Sequence, residues 1–380
     1  MLRQGWAEWH KYSFVYMQIE HLFFELLRVS IGTQDGLSRL PTEAEWEKLF
    51  EMAVKQSLIG ICFFGLHELG ADSDEGYTRI GISEDLFLDW MGRAAQINMR
   101  NEVMDGYTKF VLAHFRKKSF ACTALKGQGI AKLYGPLREF RQSGDVDVWV
   151  AGGRKKLYEH SMKMFGKLEG LTYHHIHYPL YDDPEVEAHV WPSFLSSPLR
   201  NRRLQQFCLM YEPKDVCEDV PSLAFNRVYI LIHCHQHFTR RGVGMRQLLD
   251  YYFVLHQGFT EEEKAESMRW ITTLGMKRFA EAMMWIMKDV FGLDERYLLC
   301  EQDGTCGRFL LDEVIATGNM GHADERMDMN QLQSAGGRYL NNLKRDVRIV
   351  KICPHEALWE PLWGIYQFAW CRLTKKKYKH

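Results

Sequence analysis

Between residues 119 and 191 the apolar pattern of this chain changes period. On either side it repeats at helical spacing; inside, short apolar or alternating runs are cut by glycine and proline. FACTAL (120–125) reads as a strand, followed by a tight turn at Gly127 and Gly129 and a short helix, IAKLY, that Gly135-Pro136 ends. GDVDVWV (144–150) reads as a second strand and GRKKLYEHSMKMFGKL (153–168) as an amphipathic helix. LTYHHIHY (171–178) and EVEAHVW (185–191) read as the third and fourth strands, with turn chemistry at Tyr181-Asp182-Asp183-Pro184 between them. Few strands alternating with helices over so short a span leave room only for a small sheet with helices packed on it. The expected fold is α+β: a small mixed β-sheet core at 119–220, an N-terminal helical region at 1–118 and a C-terminal helical region at 221–380. In the flanks, residues 12–30 carry helical spacing and Leu40-Pro41-Thr42-Glu43 looks like a helix start. A long helix is expected over about 83–118 with Ser83 as N-cap, and Thr260 with Glu263 fits a capping box opening a helix towards Val290. The basic end, LTKKKYKH, is expected to be frayed and solvated.

Asp145 and Asp147 are out of place in a strand, because Asp is a poor strand former. Residues two apart face the same way, so both carboxylates project from one face about 6–7 Å apart along the chain. Strand-edge aspartates also cap neighbouring turns, and that reading carries no chemistry. Three features favour chemistry. LKGQG (125–129) ends the first strand and runs into a helix. Gly127 lets backbone N–H groups approach a ligand, the helix start favours anions, and Lys126, Gly127 and Gln128 together make a phosphate cradle that is neither a Walker loop nor a GxGxxG turn. Arg138 and Arg141 precede the pair and suit bidentate phosphate contact, or one or both pair with the aspartates. Glu185, Glu187 and His189 share a face of the fourth strand, and Glu187 would complete a three-carboxylate cluster. Such a cluster is costly alone, because like charges raise one another's pKa. Mg²⁺ (or Mn²⁺) relieves the repulsion and prefers carboxylate oxygens together with substrate phosphates. Two such ions about 3.5–4 Å apart can stabilise both the attacking and the leaving oxygen of an in-line displacement.

A net charge of −1 gives no global attraction to nucleic acid or anionic membrane. No stretch approaches about 18 uninterrupted apolar residues, so no membrane span is expected, and the first residues lack a signal-peptide pattern. Nine scattered cysteines without a CxxC pair favour neither a disulfide framework nor a zinc ribbon; reduced thiols in the cytoplasm are the simpler account. In IHCHQHF (232–238), His233 and His237 share a helix face. Without an HExxH motif they read as packed helix histidines beside the cleft ahead of a zinc site, with substrate contact open. Arg246 and Asp250 are four apart and are expected to pair, while His174, His175 and His177 are expected as exposed imidazoles on a strand.

Taken together, these residues resemble the nucleotidyltransferase superfamily of the DNA polymerase beta type, and within it an uncharacterised bacterial family with a Lys-Gly turn. The likeness is carried by Leu125-Lys126-Gly127, Tyr134 with Pro136, Arg141, Asp145-Val146-Asp147 and Glu187-Ala188-His189. It extends to His233/His237, Arg246/Asp250, GNMG (318–321) and CPHEALWEPLW (353–363), roughly residues 85–370. The resemblance implies a cytoplasmic nucleotidyltransferase core that transfers a nucleoside monophosphate from an NTP and releases pyrophosphate. Asp145 and Asp147 would ligate the metals, Glu187 would complete the cluster and help activate the acceptor hydroxyl, and Gly127 would shape the phosphate turn. The usual Gly-Ser or Gly-Gly turn is replaced here by Lys126-Gly127-Gln128, which leaves Lys126 to do work that a serine does elsewhere. The alternative is an inactive scaffold that binds nucleotide and regulates. The acceptor is open: a small molecule or a protein side chain fits, and the neutral charge without a basic stripe counts against RNA.

Overall fold

The computed structural model describes residues 18–73, 76–214, 219–321, 324, 326 and 335–378. The start of the first expected helix (12–17), Cys217 and residues 379–380 lie outside these. The N-terminal part is helical, as its spacing requires: α1 (18–30), α2 (Glu43–Lys55), α3 (Ile59–Glu68), the short α4 (Gly76–Arg79) and the 34-residue α5 (Glu84–Lys117). α2 begins at the expected start, where the Glu45 carboxylate accepts the Thr42 backbone N–H at 2.8 Å. Ser83 stands at the N-cap of α5 with extended backbone, and Glu84 and Asp85 follow in the first turn, where acids suit the helix dipole.

The sheet region follows as β1 (Cys122–Ala124), α6 (Lys126–Ile130), a 3-10 segment (Ala131–Phe140), β2 (Val146–Val150), α7 (Gly153–Phe165), β3 (His175–His177) and β4 (Val186–His189). The strand order is β1-β2-β4-β3. β2 and β4 run parallel and the outer pairs antiparallel, so the sheet is mixed. The strands are shorter than the alternation suggests. Pairing of β3 stops because the Thr172 N–H turns back onto the His175 carbonyl, while the Val190 N–H closes on His174. The helix after β1 starts earlier than IAKLY, at Lys126, and passes into the 3-10 segment, which Gly135 kinks with φ 56°.

The C-terminal part is helical: α8 (Pro198–Met210), α9 (Leu223–Arg240), α10 (Met245–His256), α11 (Glu261–Thr273), α12 (Lys277–Asp289), α13 (Gly304–Thr317), α14 (Ala335–Ile349) and α15 (Pro354–Lys377). The Thr260–Glu263 capping box opens α11. The single helix expected towards Val290 is two, because Gly275, at φ 73°, turns the chain between α11 and α12. The basic end is helical rather than frayed: α15 runs through Lys375, Lys376 and Lys377, cations that suit a helix C-terminus. The eight described cysteines are free thiols.

Buried apolar residues form two clusters. Val146, Val148 and Val150 of β2 pack with α5 and α7 in one of them. Trp149 points the other way, into the larger helical cluster, and stacks on Phe225 of α9 with ring centroids 5.4 Å apart. The period of two along β2 therefore turns Asp147, like Trp149, towards the C-terminal helices. That alternation positions the site.

At the packing of α14 against α15, Asp346 is buried beside Glu360 and Glu356, and its Oδ2 has no hydrogen-bond partner among the described residues. Burial first, and then Glu360, push its pKa up to about 7. The folded value lies above the ordinary one near 4. Its contribution is therefore most favourable below about pH 4 and is lost as pH rises towards 7. Asp346→Asn is expected to melt a few degrees above the parent at about pH 8, with the gap narrowing as pH falls towards 4. Thermal melts across that range check this; a gap that ignores pH would contradict it.

Candidate active site

The acids converge because β2 and β4 are parallel and in register. Asp147 pairs with Glu187 and Trp149 with His189 across the two strands. In the antiparallel β3–β4 pair, His177 lies opposite Glu187 and His175 opposite His189. Cross-strand partners share a face, so Asp147, Glu187, His189, His175 and His177 project from one side of the sheet. Asp145 precedes β2 and joins them at an exposed rim. This face walls a cavity of about 770 Å³, and His233, His237, Arg241 and Arg246 of the α9–α10 region line it from the other side.

Lys126 and His189 face the acids. Lys126 Nζ donates to Asp147 Oδ1 at 2.7 Å and stands 4.0 Å from Glu187 Oε2. His189 Nε2 lies 2.7 Å from Asp147 Oδ1 and 3.2 Å from Glu187 Oε2. Carboxylates only accept, so Nε2 carries the proton. Burial works against charge on Lys126, but Asp147 and the neighbouring acids outweigh it and hold its pKa well above the ordinary lysine value. For His189, burial and then Lys126 lower the pKa, yet the bonds to Asp147 and Glu187 win and raise it. Burial would raise Glu187, but His175, His189 and Lys126 pull it far below the usual carboxylate range. Asp145 behaves oppositely: the charge of Asp147, then desolvation, push it up to about 6. Because Asp145 opens to solvent at the rim, the charge of Asp147 is the cause that counts.

The donor set fits a divalent cation. Ligand atoms of Asp147, Glu187 and His189 all lie within 4.8 Å of one another. The two carboxylates suit Mg²⁺ or Mn²⁺; His189, whose Nε2 carries a proton to them, would ligate only on losing that proton. Asp145 stands outside that close group and would join from the rim.

The Lys-Gly turn is tied to the strand that bears the acids, since the Leu125 N–H bonds the Asp147 carbonyl at 2.9 Å. Lys126 itself sits at φ 47°, an uncommon conformation for a residue with a side chain. A Cβ on Gly127 would come within 3.1 Å of Arg141 Nη1, and one on Gly129 within 2.5 Å of the Ala124 carbonyl oxygen. Both glycines are therefore close-approach positions. α6 has only five residues, so its dipole adds little and Lys126 is the main cation at the turn. Gln128 lines the cavity, and its Nε2 is buried without a hydrogen-bond partner among the described residues.

The two arginines part company. Arg141 lines the cavity, but its fork grips Asp250 of α10, with Nε at 2.8 Å and Nη2 at 2.9 Å from the two carboxylate oxygens. Tyr134 adds a 2.5 Å hydrogen bond to the same carboxylate. Arg138 is not part of the cavity wall; it remains on the outside of the 3-10 segment, paired with Asp105 of α5. Arg141 lies just past that segment, where extended backbone swings it inward. Asp250 is thus taken by Arg141, not by Arg246 as the four-residue spacing suggests; Arg246 donates to the Gln142 carbonyl at 2.8 Å.

His233 and His237 reach the cavity from one face of α9, with rings edge to face at 4.3 Å. Burial keeps both uncharged, His237 with a pKa near about 3. His235 turns away onto Phe279. No metal-competent group among the described residues includes these three histidines. The expectation of exposed imidazoles on β3 is corrected: His175 is buried, because its side of the sheet faces the cavity instead of open solvent. Its alternation with His177, matched against Glu187-Ala188-His189, is the sequence signal that marks this face.

The small mixed sheet, the helical flanks and an acid–histidine cluster able to hold a divalent cation define an α+β protein with a metal-competent cavity. The chain belongs to a family described as uncharacterised nucleotidyltransferase, whose sequence model matches residues 42–292. The match reaches further into the N-terminal helices than the motifs suggest and stops before GNMG and CPHEALWEPLW, so it lends those segments no support. No curated protein and no solved structure matches the chain. No helix among the described residues is long and apolar enough to cross a membrane.

Proposed function

We propose that this protein transfers a nucleoside monophosphate from an NTP to an acceptor hydroxyl or phosphate, with Mg²⁺ or Mn²⁺ and with release of pyrophosphate. The observation that carries the reading is the in-register Asp147–Glu187 pair, with Asp145 at the rim and the Lys126-Gly127 turn bonded to the same strand. Membership of the family supports the reaction class. A divalent cation held by Asp147 and Glu187, with Asp145 beside it, would supply charge neutralisation for in-line displacement at the α-phosphate. Lys126 stands between the acids and the turn, where it can meet a phosphate chain. Glu187, its pKa lowered by His175, His189 and Lys126, would complete the cluster and help activate the acceptor hydroxyl. Catalysis would come from positioning and electrostatics, without a covalent intermediate. The cavity volume suits a nucleotide and a small acceptor, and a net charge of −1 disfavours RNA. Free thiols fit the cytoplasm as its compartment.

The test is a screen of the four NTPs with Mg²⁺ or Mn²⁺ against small alcohols, sugars and peptides, following pyrophosphate. Metal-dependent release is the expected result. One observation favours a second reading as a nucleotide-binding scaffold without turnover: Asp147 Oδ1 is already engaged by both Lys126 and His189. That reading predicts calorimetric NTP binding with no pyrophosphate under any condition.

A further inference from the structure

The cavity face of the sheet carries more ligating groups than the acids alone. On β3, His177 Nε2 lies 4.0 Å from Glu187 Oε1, and His175 Nδ1 lies 3.1 Å from Glu187 Oε2. Donors that share a transition-metal ion sit about 2.0–2.2 Å from it, hence about 3–4 Å from one another. Both separations fall in that range, and the ligand atoms of the three residues lie within 4.8 Å of one another. A second observation concerns orientation. The other ring nitrogen of His177, Nδ1, meets the Glu185 carboxylate at 2.5 Å. A carboxylate on the far nitrogen is the usual way a metal-ligating imidazole is held. A third concerns burial. His175 is only 8% exposed, and its Nδ1 is held against the Glu187 carboxylate at 3.1 Å. A buried imidazole nitrogen and a carboxylate oxygen at that separation match two donors that share one ion.

The geometry points to a second cation site: His175, His177 and Glu187 hold a transition-metal dication of the Zn²⁺ or Mn²⁺ type, on the β3 side of Glu187 and away from Asp145. Two imidazoles and one carboxylate favour such an ion over Mg²⁺, which prefers an all-oxygen shell. Three protein ligands leave coordination positions open towards the cavity, where an oxygen of a bound substrate would complete the shell. The assignment rests on sheet geometry and stands whether or not the chain transfers nucleotides.

The experiment uses the full chain, stripped with a chelator and titrated calorimetrically with Zn²⁺ in the absence of nucleotide. About one equivalent is expected to bind, and excess Mg²⁺ is not expected to displace it. His177→Ala, at the half-exposed end of β3, is expected to weaken binding at least about 100-fold, and Glu185→Gln about tenfold. Asp145→Asn is expected to keep Zn²⁺ affinity within about twofold, so a failed transferase reading leaves this result untouched. Circular dichroism confirms that each variant is folded. Absence of Zn²⁺ binding, equal binding by the parent and a folded His177→Ala, or loss of binding in Asp145→Asn would each overturn the site.

Discussion

Replacing Asp147 with Asn is expected to lower NTP turnover by about 10³-fold or more while the chain stays folded. Asp147 is where the cluster meets. Its Oδ1 receives Lys126 Nζ and His189 Nε2, both at 2.7 Å, and its strand partner is Glu187. Asn keeps the shape and removes the charge. The candidate cation site would lose a ligand, and Lys126 and His189 would lose the carboxylate charge they share. The kcat is expected to fall more than the affinity for NTP, because Lys126, released from Asp147, is still available to phosphate. Pyrophosphate-release kinetics, with circular dichroism as the folding control, check this. Turnover within tenfold of the parent would remove Asp147 from the machinery.

Asp250→Ala is expected to cost about 3–5 kcal/mol of stability, the range for breaking one side of a buried ion pair. The change leaves the Arg141 guanidinium and the Tyr134 hydroxyl buried without their partner. Burial alone lowers the pKa of Arg141, and Asp250 more than reverses this; without the carboxylate, burial prevails. The loss should also reach the site. Arg141 packs against Gly127, so the Lys126-Gly127 turn loses its backing. Removing both charges with Arg141→Met/Asp250→Leu is expected to restore most of the stability without restoring the turn's support. Denaturant midpoints give the energies, and a loss below about 1 kcal/mol for Asp250→Ala would contradict the account.

These two residues also show what the sequence discloses. Asp147 and Glu187 are legible because a period-two pattern fixes which way a strand residue points, and charged residues inside apolar strands ask for an explanation. The helix start at Thr42 and the capping box at Thr260 are legible because their chemistry is local. Asp250 as the partner of Arg141 is not, because 109 residues separate them and only the packing of α10 on the 3-10 segment brings them together. Local spacing instead pairs Asp250 with Arg246, and tertiary contact overrides it. Arg138 and Arg141 look equivalent in a linear reading, yet a change in backbone direction between them sends one outward to Asp105 and one inward. The buried character of His175 was hidden for a related reason: a strand's alternation says which residues share a face, but not whether helices roof that face.

The decisive experiment is a crystal structure with a non-hydrolysable NTP analogue and Mn²⁺, located by its anomalous scattering. A Mn²⁺ peak is expected within coordinating distance of both Asp147 and Glu187, with the triphosphate resting on the Lys126–Gln128 turn. A nucleotide bound with no ion at these carboxylates, or lodged away from the turn with Lys126 still bonded to Asp147, would contradict it.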